Sequence, residues 1–509
     1  MIHASVSDRV AALLSGRAPL IVAAVAGGSA ALGLQPLGFW LLTVLGLLIL
    51  PWCLAQAGHW YRAALIGWLW GVGYFTLAMA WIVEPFLVDI ARHGWMAPFA
   101  LIFMASGLAL FWGAATGGAH ALGHDPMRRT VALCATSGLA ELARAYVLTG
   151  FPWAAVPQTL IDTPMAQLLA WIGPHGLGFW FTGAVMLPGA ALVAGGADRL
   201  GFAMVPLSFL VVATWGVLPP EATFTGKTAR VIQPNAPQDQ KWDPAHIDTF
   251  FARQVAYTGA DLPPDLIVWP ETAISTFLQD SDPAFTVIAE IARGTPVVLG
   301  VQRRDDVRYY NSLVVLDPLG EVSSLYDKHH LVPFGEYMPF GRLAAKFGIY
   351  GLAAEDGAGF SAGPGPKMLD IPRIGQAIPL ICYEAVFPQG VHGTAGRADV
   401  LLQITNDAWF GTWSGPYQHF AQARMRAIEQ GLPLVRSANT GISAIIDPYG
   451  RPTVTIPLGV PGFADGNLPA PLPPTTYARS GDWPIFVLLA MVASGLLAPH
   501  VMSFRRNRD

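Results

Sequence analysis

PLICYEAVF, residues 379–387, decides the reading: an apolar run leads straight into Cys382, followed at once by Tyr383 and Glu384. A short apolar run of this kind fits a buried strand, and an α/β protein presents its chemistry where such strands end. Two other stretches repeat the pattern. VWPETAI (268–274) carries Glu271 just behind an apolar run, and YDKHHLVPFGEYMP (326–339) carries Lys328 in the same relation to NSLVVLDP (311–318) and the residues after it. A carboxylate, an ammonium and a thiol supply the base, the electrostatic stabiliser and the nucleophile of covalent acyl chemistry.

The setting of these residues is unusual. Of 509 residues, 53% are hydrophobic and 13% charged, against roughly a quarter charged in ordinary soluble proteins. Mean hydropathy is +0.43. A net charge of −4 argues against a nucleic-acid partner. The cysteines Cys53, Cys134 and Cys382 have no paired spacing, so neither a disulfide framework nor a zinc site is expected. Cys53 and Cys134 lie in apolar helix-like runs and read as small core residues.

Apolar blocks fill the N-terminal part, near 18–34, 37–56, 63–86, 95–121, 130–149, 173–195 and 200–218, and one more lies near 483–503. Several are as long as the roughly 20 residues that cross a bilayer, which predicts eight spans. A cleaved signal peptide competes for the first block, because Arg9 and Arg17 precede it. A second block follows directly across Leu34–Gln35–Pro36, which favours a retained helical hairpin. If the spans alternate, Arg9, Arg17, Arg62, Arg128, Arg129, Arg199 and the tail arginines share one side, with Arg92 and Arg144 as exceptions. By the positive-inside rule both termini are then cytoplasmic, and the stretch between the seventh and last spans lies on the other face.

That stretch reads as a different kind of domain. Charge density rises, and β-branched runs recur: ARVIQPN, DLIVWPE, TPVVLGVQ, NSLVVLDP, QAIPLICYE, DVLLQITND, LPLVRSAN and ISAIIDPYG. Helix-compatible segments separate several of them, notably 243–259 and 416–430. The pattern predicts an α/β domain of one large sheet or two, without internal repeats. The expected organisation is a membrane domain over 1–225 with about seven transmembrane helices, a catalytic domain over 226–476, and a C-terminal helix with a basic tail over 477–509. The Pro-rich stretch 467–484 reads as the extended return path to the last span.

Glu271, Lys328 and Cys382, spaced by 57 and 54 positions, resemble the Glu–Lys–Cys triad of the nitrilase superfamily. LTGFPW (148–153), KWDP (241–244), KHHLVPFGEYMP (328–339), ICYE (381–384), TNDAWFG (405–411), QHFAQARMRAIE (418–429) and RSANTGISA (436–444) narrow the likeness to the membrane-embedded apolipoprotein N-acyltransferase family. The resemblance covers nearly the whole chain. It implies a multispan α-helical membrane domain plus an α/β nitrilase-like domain built as an αββα sandwich. It also implies a bacterial inner-membrane enzyme whose catalytic domain is periplasmic. The implied reaction moves a fatty acyl chain from a glycerophospholipid donor, through a thioester, to the N-terminal amine of a diacylated apolipoprotein. No cofactor and no metal are expected, and a monomer in contact with membrane lipid is.

On this reading Cys382 is the nucleophile, Glu271 the general base and Lys328 the stabiliser of the carbonyl oxygen, assisted by the backbone N–H of Tyr383. The family pattern adds Glu336 and Glu384 as supporting residues. Glu384 either orients Lys328, tunes the thiol, or pairs with Arg424, Arg426 or Arg436. His329 and His330 follow the lysine, but the family gives the base role to glutamate. The resemblance places Trp242 and Trp153 near substrate, although aromatic rings are common wherever protein meets a bilayer surface. Asn406 reads as turn chemistry, and the Gly- and Ala-rich stretch 348–365 as a mobile arm or surface loop.

A phospholipid resists extraction into water by about 0.8 kcal/mol per buried methylene, so a site opening sideways to lipid is expected. Two other readings compete: a membrane-anchored nitrilase-type amidase or hydrolase with the same triad, and a transporter or scaffold with a degenerate domain. Eight spans favour a lipid substrate over the first. The intact triad, and the near-absence of ionisable residues within the spans apart from Glu84, Asp89, Glu141 and Arg144, oppose the second.

Overall fold

The computed structural model describes residues 16–194, 218–339, 359–392 and 396–506. The expected span at 200–218 lies outside the described residues except for Leu218, as does 348–358 of the Gly- and Ala-rich arm. The chain divides into two compact units. One comprises Met1–Val83, Trp95–Pro219 and Ser480–Asp509; the other comprises Glu84–Gly94 and Pro220–Arg479.

The first unit is helical: α1 (Ala18–Ala31), α2 (Trp40–Ala55), α3 (Trp60–Ala78), α4 (Ala97–Leu122), α5 (Pro126–Tyr146), α6 (Leu169–Ala194) and the C-terminal helix Trp483–Arg506. Small residues set the spacing of α1 and α3. A Cβ on Gly27 would collide with the Trp70 carbonyl, and one on Gly73 with that of Ala24, so the two backbones touch. Large apolar side chains point outward instead, among them Ile21, Val25, Leu41, Leu45, Ile102, Phe103 and Leu110.

Among the described residues, one helical stretch, Ile90–Leu122, is long and apolar enough to cross a bilayer. The pair Trp60–Ala78 and Ala80–Leu87, bent by 47°, passes only if taken together. Ala18–Ala31, Trp40–Ala55 and Trp483–Ala498 are apolar but shorter. Two other expected blocks carry features that a plain apolar span lacks. α5 carries Arg128, Arg129, Glu141 and Arg144, and α6 is broken at Gly173, whose φ of 65° precedes Pro174. Arg144 is buried, ion-paired to Glu141 at 2.5 Å, and its Nη1 donates to the carbonyls of Phe151 and Trp153 at 2.5 and 2.6 Å. The arginine thereby holds the LTGFPW segment.

The described residues of the second unit form twelve strands: β1 (Phe224–Gln233), β2 (Leu266–Val268), β3 (Val297–Asp305), β4 (Arg308–Leu316), β5 (Val322–Asp327), β6 (Leu369–Ile371), β7 (Gly375–Ile381), β8 (Val400–Thr405), β9 (Leu434–Ala438), β10 (Ser443–Ile446), β11 (Pro452–Ile456) and β12 (Gly462–Pro469). They form two six-stranded sheets, ordered β12-β1-β2-β3-β4-β5 and β6-β7-β8-β9-β10-β11. Read in that order, both sheets run antiparallel, parallel, parallel, antiparallel, antiparallel. The two sheets therefore share one topology, a likeness that leaves no common motif in the residues.

Helices α7 (Ile247–Thr258) and α8 (Asp282–Ala292) cover the first sheet, where Phe285 and Ile288 pack with Ile267, Leu299 and Val301. Helix α9 (Gly415–Gln430) covers the second, where Ala423 and Ala427 pack with Leu401 and Leu434. The uncovered faces meet. Ser437 Oγ of β9 donates to the Ile232 carbonyl of β1 at 2.7 Å, and Ser443 Oγ of β10 donates to Gln233 Oε1 at 2.6 Å. Four layers, α-β-β-α, result. This places the carboxyl ends of the parallel strands β2, β7 and β8 around one point.

Candidate active site

Glu271 follows β2, and its carboxylate is fixed at both oxygens. Asn311 Nδ2, on β4, donates to Oε1 at 2.6 Å, and the backbone N–H of Asn406, just past β8, donates to Oε2 at 2.7 Å. Lys328, one residue beyond β5, lies 3.8 Å from Glu271 Oε1 and donates to Glu336 Oε1 at 2.8 Å. Glu336 in turn accepts from Asn311 Nδ2 at 3.1 Å and from the Val332 backbone at 2.8 Å. Burial alone would depress the Lys328 ammonium, but the carboxylates of Glu336 and Glu271 outweigh it and hold its pKa above the ordinary lysine value. Lys328 is a permanent cation.

Cys382 opens a 3₁₀ turn at the end of β7 with φ of +52°. A non-glycine residue there is strained backbone of the kind that concentrates at working sites. The thiol is buried, and burial together with the nearby Glu271 charge pushes its pKa up, opposed by Lys328. Burial and the Glu271 carboxylate thus favour the neutral thiol, and the Lys328 ammonium favours the thiolate. Such a site can take the thiol proton onto Glu271 as the sulfur attacks a carbonyl, while Lys328 meets the charge that develops on oxygen.

Glu384 acts on backbone groups at both ends of the site. Its Oε1 accepts from the backbone N–H of His329 and His330 at 2.8 and 3.3 Å and from the Tyr326 hydroxyl at 2.9 Å; its Oε2 accepts from the Ile381 N–H at 2.8 Å. It clamps the backbone beside Lys328 to the backbone beside Cys382. Pairing with an arginine is not realised: Arg426 bonds Glu429 and Arg436 bonds Asp407, while Arg424 Nε donates to the Gly450 carbonyl. Burial would raise the Glu384 pKa, but the His329 contact and these N–H donors bring it below the usual carboxylate value. His330 stacks on Phe387 at 3.6 Å. Tyr383 is buried with its ring edge-on to Phe387 at 4.9 Å.

Of the two tryptophans, Trp242 is partly exposed and lines a small cavity with Lys241, Phe250, Phe251, Thr272 and Asn439. Trp153 belongs to the helical unit, where it is fully buried against Trp81 with ring centroids 4.5 Å apart. Asn406 contributes more than a turn, since its backbone holds the base while its side chain donates to Gln238 at 2.8 Å.

The sequence reading did not single out Lys241, although KWDP contains it. Its Nζ donates to the Glu271 carbonyl at 3.1 Å and to Thr272 Oγ1 at 2.9 Å. Burial lowers its pKa to about 8, against the raising effect of Glu271 and Cys382. Asn311 was also missed; a polar residue at the start of a hydrophobic run was the only signal. Among the described residues, no cluster of His, Cys, Asp and Glu is arranged to hold a metal ion.

The fold and the site define the class: residues 230–465 match the carbon–nitrogen hydrolase family. A solved amidase of the nitrilase superfamily from Nesterenkonia AN1 is 20% identical with a TM-score of 0.37, over 51% of this chain and 96% of that one. Residues 26–187 match the apolipoprotein N-acyltransferase N-terminal domain. Proteins named apolipoprotein N-acyltransferase from Rhodopseudomonas palustris and Bradyrhizobium diazoefficiens are 36% and 38% identical, over 93% and 92% of this chain and 93% of each relative. The chain belongs to the apolipoprotein N-acyltransferase family.

Proposed function

We propose that the chain transfers a fatty acyl group from a glycerophospholipid to the α-amino group of a diacylglyceryl-cysteine at the N-terminus of an apolipoprotein, the last step of bacterial lipoprotein maturation. Cys382 attacks the phospholipid ester while Glu271 takes its proton and passes it to the departing lysophospholipid oxygen. The resulting thioester is attacked by the incoming amine, which Glu271 deprotonates, and the sulfur leaves. Lys328 and the backbone N–H of Tyr383 stabilise the oxyanion in both halves. Glu336 and Glu384 hold the lysine and the two loops in register, and Trp242 contacts substrate. The observation that carries this reading is the Glu271 carboxylate, fixed by Asn311 and Asn406 while it and Lys328 set the electrostatics of the buried Cys382 thiol.

In the proposed topology the catalytic domain, 226–476, lies on the periplasmic face of the inner membrane. The membrane regions 1–225 and 477–509 flank it, cross several times, and leave both termini cytoplasmic. The outward Leu, Ile and Phe side chains of α1, α2 and α4 support a lipid-facing surface, because such a face costs free energy in water. Arg17, Arg62, Arg128 and Arg129 support the orientation.

The test is intact-protein mass spectrometry after incubation with phospholipid alone, beside Cys382→Ala. A gain of one fatty acyl group is expected, absent from the variant and discharged by a diacylglyceryl-cysteine peptide much faster than by water. Rapid discharge by water would make the enzyme a hydrolase. No adduct on a folded protein would remove Cys382 from the mechanism.

A further inference from the structure

Behind the nucleophile lies a sealed polar cluster that these steps do not use: Gln403, Thr405, Asp407, His419 and Arg436, all with 0% exposure. Strands β7 and β8 run parallel with Ile381 opposite Ile404, so the next pair along is Cys382 and Thr405. That register sets Thr405 beside Cys382; burial has the larger effect and raises the thiol pKa, while a hydrogen bond from the Thr405 hydroxyl lowers it. In the resting geometry that hydroxyl donates to Asp407 Oδ1 at 2.8 Å. Its one proton is therefore engaged at rest, and the hydroxyl must turn before it can donate to the sulfur.

The Thr405–Asp407 bond is the dispensable one in this cluster. Asp407 also holds His419 Nδ1 at 2.8 Å on Oδ1 and Arg436 Nη2 at 2.6 Å on Oδ2. Burial works against the charge, but Arg436 and His419, with a smaller contribution from Thr405, bring the Asp407 pKa down to about 2, and the carboxylate keeps its two larger partners when the threonine turns away. The cysteine cannot shift to find another donor. Gln403 Nε2 donates to the Cys382 carbonyl at 3.3 Å, and His419 Nε2 lies 3.1 Å from the same oxygen. The charged groups that act on the sulfur are Glu271, Asp407, Lys328 and Lys241. Both ammonium groups are already committed, Lys328 to Glu336 and Lys241 to the Glu271 carbonyl and Thr272.

We propose that Thr405 is a further catalytic residue: as Glu271 removes the thiol proton, the Thr405 hydroxyl turns from Asp407 and donates to the sulfur. The S–H bond breaks, an O–H bond forms on the Glu271 carboxyl, and the electron pair stays on sulfur until it attacks the ester carbon. Once the thioester exists the sulfur is neutral and the hydroxyl returns to Asp407. The same swing recurs when the amine expels the thiolate. This rests on the reading of Cys382 as the nucleophile.

The experiment uses the full chain in detergent micelles, with Thr405→Val, Thr405→Ser and, should valine prevent folding, Thr405→Ala. Two rates are measured against pH: alkylation of Cys382 by iodoacetamide, located by peptide mass, and acyl-adduct formation from phospholipid. A hydrogen bond to a charged group is lost in the valine and alanine variants, so both rates at pH 7 should fall by about 10- to 100-fold, with the alkylation profile moved to higher pH. Serine should restore both. A folded valine or alanine variant with wild-type rates and profile overturns the proposal. Absence of an acyl adduct on wild-type Cys382 overturns the acyltransferase mechanism instead, and the alkylation profiles still decide the role of Thr405.

Discussion

The backbone N–H of Asn406 donates to Glu271 Oε2 at 2.7 Å although the two residues are 135 positions apart. The bond joins the carboxyl end of β8 in one sheet to the carboxyl end of β2 in the other. Its donor is backbone, so no substitution short of proline removes it, and the base is held by the packing of the sheets themselves. The other oxygen depends on a side chain, Asn311 Nδ2, which also reaches Glu336. Asn311→Leu should therefore leave Glu271 and Glu336 without the donor they share. Acyl-adduct formation is expected to fall by about 100-fold, measured by quenched-flow mass spectrometry, while the adduct, once formed, stays on Cys382.

Lys241 sets an alkaline limb. Its ammonium, with a pKa lowered to about 8 by burial, is charged below that pH and neutral above it. Loss of this charge beside Glu271 and Cys382 makes the thiolate harder to form. Lys328 stays charged throughout, because Glu336 and Glu271 raise its pKa despite burial. The acylation rate should accordingly decline as pH rises through about 8. Lys241→Met should be slow at pH 7 and lack that limb; a variant that keeps the same alkaline decline would assign it elsewhere.

The triad was legible because each of its residues ends or closely follows an apolar run, and the interior of the α/β unit was legible for a related reason. All eight β-branched runs read from the sequence are strands, and they are the eight interior ones: β1 to β4 and β7 to β10. The four that escaped notice, β5, β6, β11 and β12, are the four edges. Edge strands face solvent or are very short, as in the exposed β11 and the three-residue β6, so they lack the apolar signal of a two-sided strand. Thr405 and Asn311 escaped for another reason. Nothing about a threonine or an asparagine marks it as part of a site until the register sets it beside a cysteine or a glutamate.

Glu384 couples the site to stability. Four donors converge on its carboxylate, and although burial opposes them its pKa lies below the usual value. A group whose native pKa is depressed stabilises the fold above its unfolded pKa, about 4.3 for glutamate, and loses that contribution as pH falls through the native value. Glu384→Gln sets an amide N–H₂ against backbone donors. The expected cost is about 1–3 kcal/mol at pH 7, read as a lower thermal midpoint, with the difference from wild type shrinking toward acid pH. Acylation should fall as well, because the loops carrying Lys328 and Cys382 are no longer tied together.

In the helical unit the comparable dependence is on Arg144. It is 2% exposed, paired with Glu141, and bonded to the carbonyls of Phe151 and Trp153, while Trp112 Nε1 donates to the other oxygen of Glu141 at 3.1 Å. Arg144→Met would strand a carboxylate and two carbonyls. Breaking a buried pair from one side costs about 3–5 kcal/mol, whereas removing both charges is often close to neutral. Arg144→Met alone should thus lower the thermal midpoint of the detergent-solubilised protein sharply. Adding Glu141→Gln should recover part of the loss, but not all of it, because the Phe151 and Trp153 carbonyls still lack their donor. Full recovery in the double variant would mean that the arginine serves only the ion pair and that the LTGFPW segment holds its shape unaided.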